Sequence, residues 1–199
     1  MILLTAAVEP ELDFWRAREG VTTLVTGIGP VEASCALAAA LAGGRYRLVV
    51  NAGLAGTFDG SAGIGEGVIV GDDAIELNLE TGAPLAVPTG TKVVDRAASD
   101  AALVARLRAK GFPVLHGITV ARVTSSDATA RRLADELGAQ VESMEGFAAL
   151  RAAEIAGVRA VELRGISNRC GDRSRSDWNF AAGIAGLKRI VDAFFELQP

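Results

Sequence analysis

Histidine occurs once, at His116, and cysteine only twice, at Cys35 and Cys170, in a chain of 199 residues. Two distant cysteines without C-x-x-C spacing make neither a disulfide framework nor a zinc site, and read as reduced thiols of a cytoplasmic protein. A lone histidine removes Ser-His-Asp and Cys-His triads unless His116 itself serves, and after an apolar run it reads as structural. Lys and Arg number 20 against 24 Asp and Glu, a formal net charge of −4. With no basic run, the electrostatic footprint of a nucleic-acid binder is missing. No apolar run approaches the ~20 residues of a membrane helix. The opening stretch Met1 to Val8 has no basic region and runs into Glu9, so it reads as a buried strand, not a signal peptide. Aromatics are 5% of the chain, too few for an aromatic-rich β-sandwich. There is no G-x-x-x-x-G-K-[ST] phosphate loop, and the glycine fingerprint of dinucleotide binding fails at Glu32.

What is present is apolar and glycine-rich: 50% hydrophobic residues and 23 Gly. That is enough apolar surface to offset the entropy of folding and to argue against global disorder. Apolar runs alternate with helical stripes. Strands are expected at 2–8, 21–26, 47–51, 67–70, 112–120, 140–143 and 158–166. Helices are expected at 31–42, from a cap at Ser99, at 126–137, at 145–156, and where Ile184, Leu187, Val191, Phe194 and Phe195 recur at helical spacing. Residues 72–95, with two Pro and two Gly, read as a hairpin or long excursion, and 167–177 as a polar loop. Strands buried on both faces between helices predict one α/β domain over 1–199. Its form would be a three-layer α/β/α sandwich with a central mixed, mostly parallel sheet.

In such sheets ligands gather beyond the carboxyl ends of strands, and five strand ends carry the candidate chemistry. Gly27-Ile28-Gly29-Pro30 opens a helix whose N-terminus favours negative charge, or is only a tight turn. Gly53-Leu54-Ala55-Gly56 repeats the arrangement after the next strand, and the two could line one backbone pocket. Glu9 and Glu11 follow the first strand, where a carboxylate can act as a general base or lie idle on the surface. Glu142-Ser143-Met144-Glu145-Gly146 places Glu145 where burial is expected. A buried carboxylate needs partners, and sugar hydroxyls suit it. Arg164 to Arg169 ends the last strand, and the Asn168 amide can match a 6-oxopurine edge or serve as a turn residue.

Taken in order, Ala7-Val8-Glu9-Pro10-Glu11, Thr26 to Val31, Asn51 to Gly56, Ser125 to Ala128, Val141 to Gly146 and Arg164 to Asn168 resemble the superfamily of purine nucleoside phosphorylases and methylthioadenosine/S-adenosylhomocysteine nucleosidases. The resemblance spans essentially the whole chain. Within it, Ser143 to Ala148 and Arg164 to Asn168, followed by Arg173 and Trp178, are similar to the futalosine hydrolases. Those enzymes release hypoxanthine from futalosine in the alternative menaquinone pathway.

The resemblance implies a role for each position. Glu11 would activate water, Met144 would pack beneath the ribose, and Glu145 would hold the ribose hydroxyls. Asn168 would face the purine, helped by Ser167, where adenosine-type nucleosidases carry Asp. Gly27, Ile28, Gly53, Leu54 and Ala55 would line the pocket. Thr129 and Ala130 stand where an aromatic often covers the base, so Phe147 or a neighbouring subunit would supply that stack. One of Arg122, Arg169, Arg173 and Arg175 would meet the substrate carboxylate, with Arg173 placed among the binding residues. No metal or organic cofactor is implied, and a homo-oligomer is. Glu11 beside the nucleophile would repel a phosphate dianion, which favours hydrolysis over phosphorolysis. Two alternatives stand beside this reading: a nucleosidase for methylthioadenosine, S-adenosylhomocysteine or aminodeoxyfutalosine, and a catalytically silent nucleoside-binding module.

Overall fold

A computed structural model describes residues 1–58, 60–79, 81–172, 174 and 178–197. Among them the strands are β1 (Ile2–Ala6), β2 (Val21–Val25), β3 (Leu48–Thr57), β4 (Gly67–Ile75), β5 (Arg96–Ala98), β6 (Val114–Thr119), β7 (Val141–Ser143) and β8 (Arg159–Arg169). The helices are α1 (Pro30–Leu41), α2 (Ala101–Arg108), α3 (Asp127–Leu137), α4 (Gly146–Ile155) and α5 (Phe180–Glu196), and a 3₁₀ turn covers Glu9–Leu12. The sheet runs β2-β1-β3-β7-β6-β4-β5, with β8 paired to both β3 and β4. Five strand pairings are parallel and three antiparallel. The fold is therefore α/β with a central mixed sheet.

Strand β3 organises the sheet. Its first part pairs with β1 and β8, and its last residues, Gly56 and Thr57, pair with Val141 and Glu142 of β7. Strands β3, β8, β4, β6 and β7 thus close a ring, and the ends of β3, β7 and β8 meet at one place. Alternation along the strands sorts the core onto two faces. On one face Leu4, Leu48, Val50, Val161 and Leu163 pack with Leu103 and Leu107 of α2 and with Leu187, Ile190 and Phe194 of α5. On the other, Leu3, Val49 and Ala160 pack with Leu37 and Leu41 of α1 and with Ala149, Leu150 and Ala153 of α4. Each fully buried aliphatic contributes about 1.5–3 kcal/mol of burial free energy, so these two faces hold the frame on which the strand ends sit.

The elements differ from the expected ones in instructive places. Gly53 to Gly56 do not close a strand, because β3 continues through them to Thr57. Interior strands persist while neighbours supply hydrogen-bond partners, and β8 does so along this length. Likewise Ser167, Asn168 and Arg169 belong to β8 rather than to the following loop. Strand β4 extends to Ile75, so the irregular excursion begins later and holds an isolated bridge between Asn78 and Pro84. Asp100, not Ser99, caps α2, accepting from the Leu103 N–H; the Ser99 hydroxyl is buried and donates to the Val70 carbonyl at 2.6 Å. His116 lies exposed on β6, its Nδ1 2.7 Å from Asp72 Oδ2. Cys35 and Cys170 are free thiols. No helix among the described residues is long and apolar enough to cross a membrane.

Candidate active site

A cavity of about 440 Å³ opens where β3, β7 and β8 end, lined among others by Glu11, Ile28, Leu54, Ala55, Met144, Glu145, Ser167 and Asn168. Glu145 and Asn168 therefore share one space. The remaining wall is mostly apolar, with Val8, Pro10, Trp178, Phe180 and Ile184, and the Trp178 and Phe180 rings lie 5.2 Å apart.

Glu11 sits on the 3₁₀ turn that follows β1 and is buried. Its Oε1 accepts from the Leu54 N–H at 2.8 Å, and its Oε2 from the Ala7 N–H at 3.0 Å and the Val8 N–H at 3.4 Å. The carboxylate is thus pinned at once from the end of β1 and from within β3. Burial raises its pKa above the usual glutamate value, with the Leu54 N–H and Arg164 opposing and Glu145 adding to the rise.

Glu145 occupies the N-cap position of α4. Its Oε1 accepts from the Gly29 N–H at 2.9 Å. Gly29 can aim that N–H because it adopts φ +96°, a conformation that L side chains rarely reach. Glu145 Oε2 lies 3.8 Å from an Arg164 guanidinium nitrogen. Arg164 is 1% exposed and makes further bonds through Nε to Glu162 Oε1 (2.8 Å) and through Nη2 to Asn51 Oδ1 (2.6 Å). Its Nη1 occupies the space over Gly53, where a methyl group would overlap it and reach 3.1 Å from Glu11 Oε1. Gly53 thus serves close approach, bringing one cation between the two site carboxylates.

Asn168 lies on β8 with its Oδ1 accepting from the Ser167 hydroxyl at 2.9 Å and its Nδ2 donating to the Arg169 carbonyl at 3.2 Å. Gly56 makes room for it, since a methyl there would come within 3.0 Å of Nδ2. One Nδ2 proton stays available toward the cavity. Glu142, also on the wall, accepts from the Thr124 N–H at 3.0 Å and from the Thr124 hydroxyl, so it ties down the segment carrying Val123. Burial raises its pKa, and both Thr124 bonds oppose the rise.

Not every expected residue reaches the cavity. Gly27 packs against Glu32, and Gly53 lies against the Arg164 guanidinium and does not line the cavity. Phe147 lines a different hollow, between α1 and α4, because its position on α4 points it to the α1 side. Glu9 begins the 3₁₀ turn and does not line the cavity. Arg122 and Arg169 are exposed and do not line it either; Arg173 and Arg175 lie outside the described residues. Conversely, the strand-end patterns of the sequence give no role to Arg164, Asn51 and Glu142, which the structure brings to the site. Glu162 and Arg164 interrupt an apolar strand two residues apart, and this period-2 spacing of charges was the available signal.

The phosphorylase superfamily model matches residues 12–196. The futalosine hydrolase of Thermus thermophilus is 36% identical over 186 residues, covering 89% of this chain and 83% of that protein. The native structure of the Helicobacter pylori futalosine hydrolase superposes with a TM-score of 0.81 at 13% identity, covering 98% of this chain and 97% of that one. The methylthioadenosine/S-adenosylhomocysteine nucleosidase of Neisseria meningitidis, solved with methylthio-immucillin-A, gives a TM-score of 0.79 at 17% identity, covering 98% and 97%. At those identities the two structural likenesses concern the fold.

Proposed function

We propose, on the premise that this chain belongs to the phosphorylase superfamily and within it to the family of the futalosine hydrolases, that it uses water to cleave the N-ribosidic bond of futalosine and release hypoxanthine. The observation that carries the reading is the convergence of Glu11, Glu145 and Asn168 on one cavity. The layering belongs to the same reading: a three-layer α/β/α domain is supported by α2 and α5 on one face of the sheet and α1 and α4 on the other. So does a homo-oligomer, supported by Val31 of α1 and Ile155 of α4, each 72% exposed on two helices that pack together.

The chemistry follows from the groups. Breaking the bond builds positive charge on the ribose and negative charge on the departing base. Glu145, held by the Gly29 N–H, binds the ribose hydroxyls through its second oxygen and favours the growing positive charge. Asn168 donates a hydrogen bond from Nδ2 to the hypoxanthine, which leaves with the bonding electron pair as a stabilised anion and then takes up a proton from solvent; a neutral hydrogen-bond donor is adequate for a 6-oxopurine. Glu11 takes the proton from water as it attacks the anomeric carbon, and its raised pKa brings it closer to working pH. Met144 packs beneath the sugar, and the Trp178–Phe180 pair offers an aromatic wall for the 5′ substituent. Two carboxylates at the reacting carbon disfavour a phosphate dianion as nucleophile.

Incubation with futalosine, with and without phosphate, followed by chromatography of the free base, tests the reading. Hypoxanthine released at the same rate in both buffers is expected; adenine from methylthioadenosine with no hypoxanthine from futalosine overturns it in favour of an adenine nucleosidase. Substrate binding without base release leaves a binding module instead.

The amide at 168 gives a sharper prediction. An Asp there faces the Arg169 carbonyl and is tolerated mainly protonated, a form that can donate to purine N7. Asn168→Asp should shift the ratio of kcat/KM values toward 6-amino nucleosides by about tenfold or more, the scale on which one misplaced polar partner discriminates. An unchanged ratio would remove Asn168 from base recognition.

A further inference from the structure

Behind the cavity, Asp73 of β4 and Glu162 of β8 are both fully buried. Two of their four carboxyl oxygens have plain partners, and the backbone of Glu162 has one as well. Asp73 Oδ1 accepts from the Thr119 hydroxyl at 2.9 Å, Glu162 Oε1 accepts from Arg164 Nε at 2.8 Å, and the Glu162 N–H donates to Ser99. Asp73 Oδ2 and Glu162 Oε2 have no hydrogen-bond donor. Both converge on Gly146, where a methyl group would overlap the two oxygens together. Gly117 closes the other side, its own methyl position 2.6 Å from Asp73 Oδ2. Two bare carboxylates facing each other would be prohibitive to bury, whereas one proton between them makes one oxygen a donor and the other an acceptor.

We propose that Asp73 and Glu162 share a single proton and act, as a buried monoanion, as the positioning unit that turns Arg164 toward Glu145 and Glu11. One negative charge is what the surroundings support. Arg164 supplies one positive charge, with Asn51 taking a second edge of the guanidinium. The N-terminus of α4 also points here: the Gly146 N–H donates to Ser143, and the Phe147 N–H to Thr119, whose hydroxyl passes on to Asp73. Glu145 and Glu11 stand on the far side of Arg164, so a second charge on the pair would add to theirs. Burial and the Glu162 charge hold Asp73 well above the ordinary carboxylate range, and burial raises Glu162 as well, in keeping with one proton held by the pair.

Counting charge gives the test. An amide in place of either acid keeps the bond and the net charge, because the amide N–H replaces the shared proton. Asp73→Asn and Glu162→Gln should each leave kcat on futalosine within about threefold, while the double variant, with no anion left, should lose at least about thirtyfold in kcat with KM nearly unchanged. Two independent carboxylates would instead give large single effects that add, and that result overturns the proposal.

The kinetic arm rests on the hydrolysis proposed above; a second arm does not. Infrared spectra of the whole protein at pH 8 should show the carbonyl stretch of a protonated carboxylic acid, lost in Asp73→Asn and in Glu162→Gln. The same band should persist in a protein carrying Glu11→Gln and Glu142→Gln, which removes the other buried carboxylic acids with raised pKa among the described residues. That protein decides the matter should the amide variants fail to fold. A spectrum without the band in wild type or in that protein, or a band surviving both amide substitutions, overturns the shared proton even if futalosine is hydrolysed. A wild-type protein inert toward futalosine but showing the band would sink only the proposed substrate.

Discussion

Glu11→Gln is expected to lower kcat on the 6-oxopurine nucleoside about a thousandfold, within the range general-base removal produces, and to leave KM within about threefold. The carboxylate accepts three backbone N–H bonds and lies on the cavity wall. It is therefore aimed before substrate arrives, and the amide forfeits the base while filling the same volume. The amide also turns one donor against a strand-end N–H, so a small loss of stability should accompany the kinetic loss. Steady-state kinetics on both proteins decide it; an enzyme with near-normal turnover would hand the role of base to another group.

The pH dependence follows from the direction of the shift. Burial is the largest cause and raises the Glu11 pKa. The base must be ionised, so kcat/KM of the wild type should fall as pH drops through a value above that of an ordinary glutamate. For folding the sign is opposite. The folded state holds this proton more tightly than the unfolded chain, so the stability from Glu11 is complete below the ordinary value and is lost as pH rises through the raised one. Glu11→Gln should flatten both responses.

Arg164→Met should destabilise the protein by about 3–5 kcal/mol, the cost of breaking a buried ion pair from one side. Against a typical total of about 5–15 kcal/mol, that is a large fraction. The guanidinium is 1% exposed and bonds Glu162 and Asn51, with Glu145 3.8 Å away. Met fills the volume but leaves Glu162 without its cation. Arg164→Lys should recover only part of the loss, since one ammonium cannot reach three partners in a plane. Urea denaturation at neutral pH measures both; a loss under about 1 kcal/mol for Met would mean the network is not electrostatically strained by removing its cation.

The helices α1, α3, α4 and α5 were legible because each buries a stripe at helical spacing, and the strands β1, β2 and β6 because they are short apolar or β-branched runs between turn residues. The cavity was legible for a different reason: Glu11, Glu145 and Asn168 stand at strand ends, where short sequence patterns and backbone geometry coincide. The long central strands were harder. Gly53-Leu54-Ala55-Gly56 looks like a turn by composition, yet it is strand because β8 runs beside it and Arg164 needs the space above Gly53. Phe147 looked available to a base, and the packing of α4 on α1 decided otherwise.

The order of residues determined the α/β class, the strand ends that carry chemistry and the identity of the acid and amide side chains there, because periodicity and local conformation act over a few neighbouring residues. Tertiary structure alone decided that Asn51, Asp73, Glu162 and Arg164 form one buried charge network under Gly146. Their mutual distances depend on which strands pair and in what register, and Asn51 faces Glu162 across β3 and β8 only once that pairing is set. Buried charges interact strongly over a few ångströms of low-dielectric interior, so the balance that makes the site workable appears only when distant segments are brought together.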